Sequence, residues 1–166
     1  MNRGVKTYVW GVVLFALCAI AITATQSGSV SEQQWLSALG FGLALVLVQL
    51  LPVPFPRGTQ MELLSVEEAV VVPLVLMLDP LPALVAVASG VLVAHVIQRA
   101  DVTKALFNAG QLTLAVGAAL LVTAGITGET SAGHDPLAML AVVVGLLAMF
   151  EVERLLVAGV MRLAEG

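Results

Sequence analysis

Charge is what this 166-residue chain has least of, because charged residues make up 11% of it whereas soluble domains carry about a quarter. With 60% hydrophobic residues and a mean hydropathy of +1.05, the composition excludes an ordinary water-soluble fold. Each membrane crossing takes roughly 20 residues. The length therefore predicts one domain, residues 1–166, made of several transmembrane helices and leaving no space for a soluble domain among them.

Basic residues, cysteine and histidine are also scarce. Seven Lys and Arg residues and a net charge of −4 exclude a basic surface for nucleic acid. The single cysteine, Cys18, lies in an apolar run and excludes an intramolecular disulfide. The two histidines, His95 and His134, are predicted on opposite sides of the membrane, and the sequence has no phosphate loop, nucleophile elbow or zinc signature. We therefore expect no enzymatic activity, no cofactor and no metal.

Six apolar stretches are separated by short polar or Pro/Gly-rich joints. They cover residues of about 8–26, 36–53, 65–79, 81–98, 104–126 and 136–163. Several joints carry helix-start chemistry, in which a capping residue is followed by a residue suited to the first turn: Ser31 with Gln34, Ser65 with Glu68, Asp79 with Pro80, and Asp135 with Pro136. The predicted fold is all-α, a polytopic integral membrane bundle of six transmembrane helices.

The basic residues indicate the orientation of these helices. Loops 27–35, 79–82 and 127–135 contain no Lys or Arg. All seven basic residues lie at the other ends of the stretches: Arg3, Lys6, Arg57, Arg99, Lys104, Arg154 and Arg162. The positive-inside rule then predicts a multi-pass protein of the bacterial plasma membrane with both termini in the cytoplasm.

Two stretches admit a second interpretation. Arg3 and Lys6 before an apolar run are also typical of a secretory signal peptide, so the first stretch is either a transmembrane helix or a leader. The third is short and contains Pro73, which is expected to kink it. The Pro-rich residues 51–56 before it form either a plain interfacial loop or a segment that dips back into the membrane.

Small residues recur at four-residue spacing in the last three stretches: Ala86, Gly90 and Ala94; Ala109, Thr113 and Gly117; Ala141 and Gly145. Such stripes let helix backbones approach closely inside a bilayer. We expect them to pack the fourth, fifth and sixth helices together, with a homodimer interface as the alternative.

Polar residues within the apolar stretches are the candidate functional residues, because they are costly in hydrocarbon. They fall in the predicted cytoplasmic half: Glu67, Glu68, His95, Asn108, Gln111, Glu151, Glu153 and Arg154. Each also has a structural interpretation. Glu67 and Glu68 suit the first turn of a helix, His95 lies near the interface, and Asn108 and Gln111, one turn apart, suit interhelical hydrogen bonds.

The charges of the sixth stretch leave two alternatives open. Glu151 and Arg154 are one turn apart and form either an ion pair within the membrane or part of a cytoplasmic extension. In the second case the membrane ends near residue 152, and Glu153 and Arg162 are solvated as well.

Three segments resemble the multi-pass sensor regions that precede HD-GYP or GGDEF output domains in bacterial cyclic-dinucleotide signalling proteins. They are AHVIQR at 94–99, KALFNAGQ at 104–111 and LLVAGVMRLAEG at 155–166. More distantly, six helices are similar to the S-components of energy-coupling-factor vitamin transporters. The first resemblance covers residues 45–166 and carries over only onto Asn108 and Gln111. The family often has Asn where this chain has Glu153.

The resemblance implies a membrane-embedded sensory or signalling input module that binds a small or lipophilic ligand. In the family the chain continues into an output domain, so this sequence is expected to be a fragment or a stand-alone relative. The expected partners are membrane lipids and a cytoplasmic output domain or partner protein. The alternatives are a small-solute transport subunit and a structural membrane subunit.

Overall fold

The computed structural model describes residues 3–51, 53–57, 60–64, 67–128 and 136–165. These residues form six helices and one two-stranded hairpin. In chain order the elements are α1 (Arg3–Gln26), α2 (Glu32–Leu50), β1 (Val53–Arg57), β2 (Gln60–Leu64), α3 (Glu68–Met77), α4 (Pro80–Ile97), α5 (Val102–Thr127) and α6 (Pro136–Glu165). The predicted all-α bundle is confirmed, and the short hairpin lies in the joint between α2 and α3.

Four helices, α1, α2, α4 and α5, are long and apolar enough to cross a membrane. This is consistent with a membrane protein, but six membrane-spanning helices are not supported. Helix α3 has only ten residues, which make it about 15 Å long, and the uncharged part of α6 ends at Phe150.

Helices α2 and α4 run in the same direction. Near the start of α2, the Gln34 side chain donates to the Met77 carbonyl (3.4 Å) and accepts from the Asp79 amide (3.2 Å), just before α4. At the other end, Gln98 Nε2 donates to the carbonyl of Gln49 (2.7 Å). The chain between α2 and α4 therefore returns along the full length of this helix pair.

Helix α3 makes most of that return. The Gln49 amide donates to the Glu67 carboxylate (3.0 Å), which places the start of α3 beside the end of α2. Leu78 and Asp79 are extended, with ψ angles of 144° and 154°, and they complete the distance that the short helix leaves. Pro73 lies inside α3, as predicted, but α3 begins at Glu68 rather than at residue 65, and Ser65 lies outside the described residues.

The hairpin forms where a loop or a segment entering the membrane was expected. Its strands are antiparallel, with Phe55 opposite Glu62. Proline has no backbone donor, yet Pro54 and Pro56 fit an edge strand because alternate residues direct their N–H groups to the same side. The neighbours Val53, Phe55 and Arg57 are left to donate to the partner strand.

The starts of α1, α3 and α5 lie together with the ends of α2, α4 and α6, as the contacts of Gln49, Tyr8 and His95 show. We call this the basic end, because it holds the described basic residues on the helices and their joints: Arg3, Lys6, Arg99, Lys104, Arg154 and Arg162. At the opposite end, Ser31 caps α2 as predicted: its hydroxyl oxygen accepts from the backbone N–H of Gln34. Asp79 occupies the predicted cap position of α4 but makes no side-chain cap bond.

The small-residue stripes pack helices of this chain together, as predicted, but the stripe of α4 packs against α2 rather than against α5 or α6. A Cβ built on Gly90 would lie 2.8 Å from the Gly42 carbonyl oxygen of α2, and one on Gly145 would lie 2.7 Å from the Ala119 carbonyl oxygen of α5. The core extends beyond the predicted last three helices. Leu45 of α2 and Leu74 of α3 are fully buried in it together with residues of α4 and α5, and α6 adds Met149.

Candidate functional site

A buried histidine links α4 to α5 near the basic end. His95 is 7% exposed, and its Nδ1 lies 3.0 Å from the Val91 carbonyl oxygen. Its Nε2 lies 2.9 Å from the Asn108 amide nitrogen. A carbonyl oxygen only accepts and an amide nitrogen only donates, so the geometry assigns the ring proton to Nδ1. The prediction of interhelical bonding is confirmed for Asn108.

Gln111, one turn further along α5, links that helix to α6. Its buried amide donates to a carboxylate oxygen of Glu153 over 3.1 Å. Glu153 is half-buried, and Glu67 and Glu68 of the α3 start are close enough to repel its charge. The arrangement brings three of the predicted carboxylates into one region, where the side-chain amides of Gln49 and Gln111 donate to Glu67 and Glu153 and offset part of their mutual repulsion.

Gln49 completes these contacts and was not among the predicted site residues. Besides donating to Glu67, it presents a buried side-chain oxygen, Oε1, that has no hydrogen-bond partner within the described residues. The available signal was the glutamine itself, because Ser37 and Gln49 are the polar residues of 36–53 and a side-chain amide is costly in hydrocarbon.

We call these contacts the polar layer. It contains one or two polar side chains from each of five helices: Gln49 of α2, Glu67 of the α3 start, His95 and Gln98 of α4, Asn108 and Gln111 of α5, and Glu153 of α6. No group of three or more His, Cys, Asp or Glu residues in the described part of the chain is arranged to hold a metal ion. The layer is a set of interhelical hydrogen bonds.

Glu151 and Arg154 do not join the polar layer. They face each other across 4.0 Å on the outside of α6, with side chains 67% and 81% exposed. An ion pair this exposed contributes at most about 1 kcal/mol. The pair is therefore not buried inside the bundle, and neither residue belongs to a shared site with His95 or Glu153.

A cavity of about 610 Å³ lies at the opposite end of the bundle, between α1, α4 and α5. That half of each helix is nearly uncharged, and all of the predicted site residues fall in the other half. Thr23 and Gln26 of α1 and Asp79 before α4 nevertheless line the cavity. They were overlooked because each lies close to a helix end, where a polar residue has an ordinary explanation as a cap or interface residue.

No family model, curated protein or solved structure matches this chain.

Proposed function

We propose that this chain is a sensory input module of a bacterial plasma membrane, with the basic end in the cytoplasm and six passes of the chain between the two faces. Successive helices alternate in direction, which gathers the basic residues at one end of the bundle. The positive-inside rule assigns that end to the cytoplasm and so supports this topology. The apolar first half of α6 makes the last pass, and α3 with its extended residues makes the third.

The polar layer carries the proposal. It joins five helices: α2, α3 at its start, α4, α5 and α6. The layer meets α6 at Glu153, and the last turns of that helix continue beyond it to Glu165. Hydrogen bonds across helices hold one arrangement of the bundle, and a shift of α6 along α5 breaks the Gln111–Glu153 contact. A ligand or a change in the bilayer that favours the shifted arrangement would move α6, and with it a cytoplasmic output domain or partner protein.

The test is to join the full chain at its C-terminus to a GGDEF output domain and measure cyclic-dinucleotide production. Gln111→Leu and Glu153→Leu both remove the contact between α5 and α6, so each should change output by about fivefold or more in the same direction. Glu151→Leu, on the exposed face of α6, is the matched control and should behave like the parent. Equal output from all four proteins would contradict the sensory proposal.

A second function is favoured by the cavity, because its volume falls within the range of small-molecule sites, roughly 300–1,000 Å³. In this alternative the chain is a small-solute transport subunit that works with a partner. Saturable solute uptake that requires both proteins would support transport. A structural membrane subunit, the remaining alternative, predicts neither uptake nor output.

A further inference from the structure

The cavity at the opposite end has an apolar body and a polar rim. Leu84, Leu120 and Ala124 supply apolar wall, whereas Thr23, Gln26 and Asp79 supply polar atoms. The Thr23 hydroxyl already donates to the Ala19 carbonyl, so toward a ligand it can only accept. The site is therefore suited to an amphipathic molecule with a hydrogen-bond donor at one end.

The charge around the cavity is negative. Among the described lining residues, Asp79 alone has an ionisable side chain, and this carboxylate makes no cap hydrogen bond to α4. Six of the seven Lys and Arg residues of the chain lie at the basic end, and the seventh, Arg57, lies in the hairpin that follows α2. The helix ends add no net preference for a cation or an anion, because α1 and α5 end here while α2 and α4 begin here.

We propose that this cavity binds a small amphipathic amine, with its ammonium group on the Asp79 carboxylate and its apolar part against α4 and α5. An ammonium has three donors and no acceptor, which matches a carboxylate and a threonine hydroxyl that can only accept. If the proposed function is correct, the amine is the stimulus, and its binding end faces away from the cytoplasm.

Binding is measured on the full chain in nanodiscs of uncharged lipid, with empty nanodiscs subtracted, by isothermal titration. The probes are phenethylamine, phenethyl alcohol and 3-phenylpropionate, which share a phenyl group and differ in the charge of the head. The amine should bind most tightly and the carboxylate least. Asp79→Asn, which keeps the shape of the side chain, should weaken amine binding by roughly tenfold or more and leave the alcohol unchanged.

Glu32→Gln is the matched control, because Glu32 is an exposed carboxylate at the same end that does not line the cavity. It should bind the amine like the parent. Ala124→Leu fills part of the cavity wall and should weaken the amine and the alcohol together. Equal binding of all three probes, unchanged amine binding in Asp79→Asn, or undiminished binding in Ala124→Leu would overturn the proposal.

These measurements need no output domain. Amine binding together with an output that no polar-layer substitution changes would leave the site standing and contradict the sensory proposal. An output that depends on the polar layer, in a protein that does not bind the amine, would do the reverse.

Discussion

Single side chains decide whether the polar layer stabilises the bundle. Gln111 is buried, and its amide is the only described hydrogen-bond donor to Glu153, which two other carboxylates repel. Burying a charged group without a donor costs more than the hydrogen bond itself contributes. The amide and the carboxylate are therefore expected to respond differently to substitution.

Gln111→Leu should lower the free energy of unfolding by about 1–3 kcal/mol, because Glu153 keeps its charge and loses its donor. Denaturation of the purified protein in detergent measures this. The control is Gln33→Leu on the exposed face of α2, which should change stability by no more than about 0.5 kcal/mol. Equal effects of the two substitutions would show that the Gln111–Glu153 contact is unimportant.

Glu153→Gln should raise the unfolding midpoint. The substitution removes a half-buried charge that faces Glu67 and Glu68, and it leaves an oxygen for Gln111 to donate to. Glu151→Gln is the paired control and should leave the midpoint unchanged, since Glu151 is exposed. A loss of stability in Glu153→Gln would mean that the carboxylate charge itself stabilises the layer.

At the scale of the helices, packing depends on glycine where two backbones meet. The spacing of Ala86, Gly90 and Ala94 was enough to predict a contact face on α4, and Ala94 is indeed fully buried. The partner residue, Gly42, was not predicted, because a stripe of small residues on one helix does not identify the helix that packs against it.

Gly90→Ala should destabilise the protein by about 1–3 kcal/mol, because the added methyl group would lie 2.8 Å from the Gly42 carbonyl oxygen and force α2 and α4 apart. Gly40→Ala, on the open face of α2, is the control and should cost nothing, since a Cβ there has no neighbour within 4 Å. Unfolding in detergent compares the two. Equal stability of both variants would contradict the close approach of α2 and α4.

The hairpin and α3 show where prediction from sequence stopped. Prolines at 54 and 56 indicate a loop when their own segment is considered alone. They fit an edge strand only because that segment pairs with Gln60–Leu64. For α3, the apolar run was recognised, but its length alone could not show that extended Leu78 and Asp79 complete the pass. Both features depend on contacts with distant parts of the chain.

At the scale of the whole molecule, the helix count and the gathering of Glu67, His95, Asn108, Gln111 and Glu153 toward one end followed from apolar length and charge position. The cavity could not be predicted, because a space between α1, α4 and α5 depends on how these helices diverge. It produces no periodic pattern in the sequence of any one helix. The exposed position of Glu151 and Arg154 was likewise undecided, since it depends on the rotation of α6.

The topology is the central claim, because the function of the polar layer and of the cavity both depend on which end faces the cytoplasm. The third pass, made by the short helix α3 and its extended residues, is the one to test. Leu51 and Met77 are exposed residues on either side of it. With Cys18 replaced by alanine, a single cysteine at each position reports its side through a maleimide that does not cross membranes. Ser29→Cys and Ala100→Cys serve as references for the two faces.

In intact cells, we predict that the reagent labels Met77→Cys and the Ser29→Cys reference, whereas Leu51→Cys and the Ala100→Cys reference react only after permeabilisation. Labelling of Met77→Cys and Leu51→Cys from the same side would contradict the six-pass topology. Labelling of Leu51→Cys but not of Met77→Cys in intact cells would show that the basic end faces away from the cytoplasm.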